Sequence, residues 1–256
     1  MIDINKIGEK FKSFLKLETF PLVIYESEYL PEDAVPMCAV HGCVAKSIFL
    51  SSTSDTNPLY INHRTLKGSC PGSMTYLGFA KPANFIKYFV STGKENVRGG
   101  EAEYLKSSPE EVEKFLKSIG AVKQIENNLI IQRCEYIKYE LEVALQNKIN
   151  LKSILIFGNG EQIRNLASLV YFENENTFTS ISMPFGPACA SFITYPTGMA
   201  EKTPKKTSFI GPTDPTGNIW FPSDCLAMGL PIEIAISLYE NIDSSFLSKR
   251  PEVAFP

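Results

Sequence analysis

The chain has 256 residues, 44% hydrophobic and 21% charged, a composition that excludes collagen-like, coiled-coil and wholly disordered proteins. With 25 basic and 28 acidic residues its formal charge is −3, so no general positive field draws it to nucleic acid or to an anionic bilayer. Six unevenly spaced cysteines are not the framework of a small secreted domain, and the N-terminus carries no apolar signal segment; the expected location is the cytoplasm, with the thiols reduced.

In chain order, Ile4, Ile7, Phe11, Phe14 and Leu15 recur at three or four residues and predict an amphipathic helix that Pro21 ends. Residues 21–25 read as a buried strand, and 26–36 as a proline-marked loop of a length that often borders a site. Met37, Val40, Val44 and Ile48 predict one helix over 37–50, followed by a strand over 59–62 that ends at His63. A turn-rich stretch, 67–73, leads into helices over 74–80, 84–90 and 109–119, the last with Ser108 as cap and Pro109 at its first position. Strands are expected over 128–133 and 153–157, and a helix over 162–171. In the Thr-, Ser-, Pro- and Gly-rich remainder, short strands are expected near 179–183, 192–195 and 207–210, with a last helix over 232–239 after Pro231. Helices and strands mix without strict βαβ alternation, which predicts a single α+β domain over residues 1–256, with a mixed sheet and helices packed mainly on one face.

Gly158-Asn-Gly160 follows an apolar run and opens a helix, as in a dinucleotide-binding fingerprint, but Ile163 stands where the third glycine belongs, and a tight turn explains the pair equally well. Gly68-Ser-Cys70-Pro-Gly72 has the form of a nucleophile elbow without the apolar strand that should precede it; His41 and His63 are the available bases. Cys70 also precedes Pro71, a residue suited to a first helical position, where backbone N–H groups would favour a thiolate. On a continuous helix Cys38 and His41 share a face, whereas Cys43 turns away and is expected to pack in the core. Cys189 lies in a proline- and glycine-flanked loop, while Cys134 and Cys225 read as packing residues. Lys202, Lys205 and Lys206 read as a solvated basic run. Tyr60, Tyr76, Phe79, Phe185 and Phe192 fall beside the cysteine segments, as core or as pocket wall.

Phe20-Pro-Leu-Val-Ile24, Met37-Cys38, Cys70-Pro-Gly-Ser-Met-Thr-Tyr-Leu-Gly78, Ile154-Leu-Ile-Phe-Gly158, Ala188-Cys189 and Met228-Gly-Leu-Pro231, in this order, resemble the bacterial and archaeal family called domain of unknown function 169. The resemblance implies that Cys38, Cys70 and Cys189 are the three family cysteines. Thiolates brought together select soft metals, so the expected function is binding of a small ligand or metal cofactor at Cys38, Cys70 and Cys189, with His41 as fourth ligand or proton carrier. An iron–sulfur cluster is the first expectation and zinc the second. The alternatives are a cofactor-free enzyme with Cys70 as nucleophile and His41 or His63 as base, and a binding or structural protein whose cysteines only pack. The expected partner is a small molecule or metal, not nucleic acid or membrane.

Overall fold

Strand β5 (Asn150–Asn159) lies at the centre of the sheet, antiparallel to β1 (Leu22–Ser27) on one side and to β8 (Cys225–Pro231) on the other. The structure, a computed structural model, describes residues 3–66, 69–93, 102–137, 149–215 and 219–250; Lys67 and Gly68 of the turn-rich stretch lie outside them. Beyond β1 come β4 (Asn128–Arg133), β3 (Leu59–Ile61) and the parallel edge strand β2 (Val35–Pro36). Beyond β8 come β7 (Ser208–Gly211) and the parallel edge strand β6 (Ile181–Ser182). Among the described residues the sheet therefore runs β2-β3-β4-β1-β5-β8-β7-β6.

Side chains alternate across a strand, and here both faces are apolar. Leu22, Ile24, Leu155 and Phe157 point into one core, and Val23, Tyr25, Ile154 and Ile156 into the other. The second core is closed by α1 (Ile4–Phe14), α7 (Gly160–Val170) and α8 (Ile232–Asn241), with Leu247 of α9 (Phe246–Lys249) at its margin. The first is covered by shorter pieces: α2 (Met37–Val40), α3 (Val44–Thr53), α4 (Pro71–Tyr76) and a π-helical turn over Ala190–Thr194. Outside these lie α5 (Asn84–Val90) and α6 (Pro109–Ile119).

The α+β class and the mixed sheet agree with the sequence reading; the helices, expected mainly on one face, are shared between both. The helix expected over 37–50 is two helices. His41 takes an extended conformation (φ −158°, ψ 148°) and the chain re-enters a helix only at Val44, with Gly42 in the break. Residues 192–195, read as a strand from their β-branched and aromatic side chains, belong to the π-helical turn, where Phe192 is buried and Thr194 Oγ1 donates to the Tyr76 carbonyl. Strand β8 was not expected: Leu-Ala-Met-Gly-Leu has little β propensity, and burial between β5 and β7 decides its state. At Gly158-Asn-Gly160 the turn reading holds. Asn159 caps α7 in a reciprocal capping box with Gln162, Ile163 is buried, and both neighbours of β5 are antiparallel, so no βαβ unit is built there.

Gly8 lets α1 approach the 3-10 turn Cys134–Tyr136 closely: a Cβ at position 8 would overlap Cys134 Cβ. Gly8→Val is therefore expected to destabilise the protein by about 1–3 kcal/mol through overpacking, read as a lower urea midpoint with an unchanged slope.

Candidate ligand-binding site

The break at His41 and Gly42 makes Cys43 the N-cap residue of α3 rather than a side chain on a continuing helix. Its N–H donates to His41 Nδ1 at 2.9 Å, which fixes the turn. The first backbone N–H groups of α3 have no carbonyl partner within the helix; those of Lys46 and Ala45 oppose the rise of the Cys43 pKa, and that of Ala45 the rise of Cys189, although the Cys43 side chain makes no cap hydrogen bond. Cys70 is the N-cap of α4, with Pro71 at the first position, as the sequence implied. Its Sγ accepts from the Ser73 N–H at 3.5 Å and lies 3.3 Å from Ser73 Oγ.

Cys43, Cys70 and Cys189 share the wall of a cavity of about 740 Å³. They are close enough to act on one another electrostatically. Burial pushes the Cys189 thiol well up, and the charges that Cys70 and Cys43 would carry push in the same direction. Burial also raises Cys43, against the opposing effect of the Lys46 N–H. The rest of the wall is chiefly apolar. Phe85 and Phe89 come from α5, Phe115 from α6, and Phe185 from the loop before Cys189. The Phe115 and Phe185 rings meet edge to face, with centroids 4.9 Å apart. The polar contributions include Ser73, Thr75, the Tyr76 ring with its hydroxyl, Glu103 and Asp214.

The assembled trio thus contains two of the three expected cysteines, with Cys43 in place of Cys38. Cys38 sits half-buried on α2 and its thiol donates to the Thr65 carbonyl. The assumption of one continuous helix put Cys43 on the wrong side. His41 and His63 are exposed and neither lines the cavity, so Cys70 has no imidazole beside it there. Among the described residues no three His, Cys, Asp or Glu side chains form a metal-ligating group, so the set Cys38, Cys70, Cys189 and His41 is not assembled.

Cys134 is buried, as expected of a packing residue, and Cys225 is half-buried in β8. Lys202, Lys205 and Lys206 are exposed and away from the cavity, and the 26–36 segment contributes nothing to its wall. Of the singled-out aromatics, Tyr76 and Phe185 line the cavity, while Phe192 is core. Phe85, Phe89 and Phe115 were missed. Their signal was the four-residue spacing of Phe85 and Phe89 on α5, a helix with an apolar side but no fully buried residue.

Fold and cavity together define an α+β protein with a partly open, largely apolar pocket and thiols on its wall. The chain belongs to DUF169, an uncharacterised ArCR family whose model matches residues 10–241. Comparison with curated proteins and with solved structures gives no match. Among the described residues no helix is long and apolar enough to cross a membrane.

Two predictions follow from the placement of the thiols. Iodoacetamide at pH 7.5 is expected to modify exposed Cys70 at least about tenfold faster than buried Cys134 and Cys189; peptide mapping that finds Cys189 as reactive as Cys70 would contradict the described wall. Burial also raises Cys134 and Cys189 and takes Cys225 to about 11, against an ordinary value of 9.0. These thiols hold their protons in the fold and lose them more readily in the unfolded chain. Their contribution to stability is whole below pH 9 and declines as the pH rises through the folded values. Thermal melts between pH 8 and 11 should show that decline, less steep in Cys225→Ala.

Proposed function

We propose that this protein binds a small, largely apolar ligand in the cavity between α4, α5, α6 and the 185–189 loop, with Cys43, Cys70 and Cys189 at its wall. The observation that carries the reading is the cavity: about 740 Å³, walled by aromatic and aliphatic side chains with a few polar groups among them. Ligand sites commonly have this size and character. Thiols add a soft, polarisable surface without a fixed charge while they remain protonated.

Binding of the neutral dye N-phenyl-1-naphthylamine, followed by its fluorescence, tests the reading. Ile86 lines the cavity from α5 and is only half-buried, so Ile86→Trp should fill the space without disturbing the core. The expected result is an affinity at least about tenfold weaker, equivalent to roughly 1.4 kcal/mol, with unchanged far-UV circular dichroism. Dye binding of equal strength in wild type and Ile86→Trp would refute the assignment.

One observation favours a second reading, a soft metal or iron–sulfur cluster: three thiols from distant segments share a wall. It would use Cys43 where the sequence suggested Cys38, and the thiols would have to close together on the metal. Anaerobic reconstitution with iron and sulfide is its test. Stable brown protein, lost in Cys43→Ser but retained in Cys38→Ser, supports it; no retained iron, or loss in Cys38→Ser alone, rejects it.

A further inference from the structure

Resting on the reading of the cavity as a ligand site, we infer that Cys70 captures the ligand covalently, and that the ligand is an apolar electrophile of the α,β-unsaturated carbonyl class. The cavity wall carries three thiols that differ in access: Cys189 is buried, Cys43 half-buried and Cys70 exposed. Cys70 is therefore the wall thiol that solvent and a molecule in the cavity both reach. Gly72, which also lines the cavity, keeps the approach open. Apart from its chain neighbours and the backbone of its own helix, the nearest atom to a Cβ placed there is Cys70 Sγ, at 3.8 Å.

The sulfur is also held in position. The Ser73 N–H donates to Cys70 Sγ at 3.5 Å, and Ser73 Oγ lies 3.3 Å from it. The Ser73 side chain is fully buried and gives its one hydroxyl hydrogen to the Cys70 carbonyl at 2.9 Å, so the neutral thiol is the donor across the Sγ–Oγ contact. A thiolate has lost that hydrogen but keeps the bond from the N–H, and rotation of the Ser73 hydroxyl gives it a second. Ser73 thus serves both protonation states of the nucleophile without displacing the sulfur.

The surroundings select the reaction. The chain has two histidines, His41 and His63, and neither lines the cavity. Acyl transfer with turnover relies on a base beside the nucleophile and an acid for the leaving group, whereas conjugate addition expels no leaving group. The Cys70 thiolate forms a C–S bond to the β-carbon, and the alkene π pair moves onto the α-carbon and carbonyl. Water, which reaches exposed Cys70, protonates the α-carbon, and the proton that left the thiol passes to solvent. The sum is addition of S–H across one C=C bond, with nothing oxidised and nothing released. A thiolate is the reactive form of cysteine, and Phe85, Phe89, Phe115 and Phe185 offer the apolar surface on which the rest of the molecule packs.

The test compares N-phenylacrylamide with N-(2-hydroxyethyl)acrylamide on the full-length protein at pH 7.5. Each rate is divided by that of free glutathione with the same probe, so that intrinsic reactivity cancels. The phenyl probe is expected to modify Cys70 with a normalised rate at least about tenfold higher, because it is held in the cavity before it reacts, and with a mass gain equal to the whole probe. Excess N-phenyl-1-naphthylamine should remove the preference. Ile86→Trp should reduce it severalfold while the rate with the hydroxyethyl probe changes little. Equal normalised rates, a preference that the dye leaves intact, or an adduct on another cysteine in place of Cys70 would overturn the inference. Should Ile86→Trp fail to fold, the wild-type ratio and the dye competition decide. A dye that does not bind the wild type overturns the cavity reading itself, whereas a dye that binds while both probes react alike overturns covalent capture alone.

Discussion

The architecture depends on a sheet that is apolar on both sides. Leu22, Ile24, Leu155 and Phe157 on one face, and Val23, Ile154, Ile156 and Leu230 on the other, are fully buried. Burying a side chain of this kind stabilises by roughly 1.5–3 kcal/mol, so leaving either face bare would cost an amount comparable to a domain's net stability of roughly 5–15 kcal/mol. Two covers are therefore obligatory, and they differ in kind. On the α1, α7 and α8 side the cover is continuous. On the other side α2 and α4 are short, and α5, without a fully buried residue, stands off from the core. The cavity occupies that gap.

The incomplete cover also sets the character of the cavity wall. Lys87 of α5 and Glu113 of α6 form a partly exposed ion pair at 2.5 Å, so the two helices depend on apolar contact more than on charge. The Phe115 and Phe185 rings pack α6 against the loop before Cys189. Inside, burial raises the Cys43 and Cys189 thiols, and Glu103, Asp214 and Tyr76 add polar groups to the wall. Sulfur and aromatic carbon are both polarisable, in keeping with the proposed apolar ligand.

The break at His41 and Gly42 links backbone conformation to this chemistry. A helix continued through residues 41–43 would turn Cys43 away from Cys38 and into the core. Once broken, the new helix starts with Cys43 as its N-cap, at the wall of the cavity. A residue that periodicity assigns to packing becomes part of the wall, and Cys38 is left to bond the Thr65 carbonyl. The π-helical turn after Cys189 acts similarly, because Thr194 ties it to α4 and so brings Cys189 to the level of Tyr76.

Much of the local structure was legible in the residues alone. Helices over 4–14, 84–90 and 109–119 and the strand over 128–133 follow from apolar period, caps and prolines, interactions that act within a few positions of each other. The same local logic identified Cys70 as a helix start and Cys189 as a residue of interest. It gave no access to β8, which is a strand because β5 and β7 flank it, or to the choice of Cys43 over Cys38, which depends on where one helix breaks. Nor did it disclose that Phe85, Phe89 and Phe115 face a cavity rather than the core. Sequence determined the α+β class and the separate elements because hydrogen bonding and burial period are short-range properties of a chain; tertiary structure alone decided which thiols, acids and rings meet, because segments more than a hundred residues apart acquire a common wall only after both faces of the sheet have been covered.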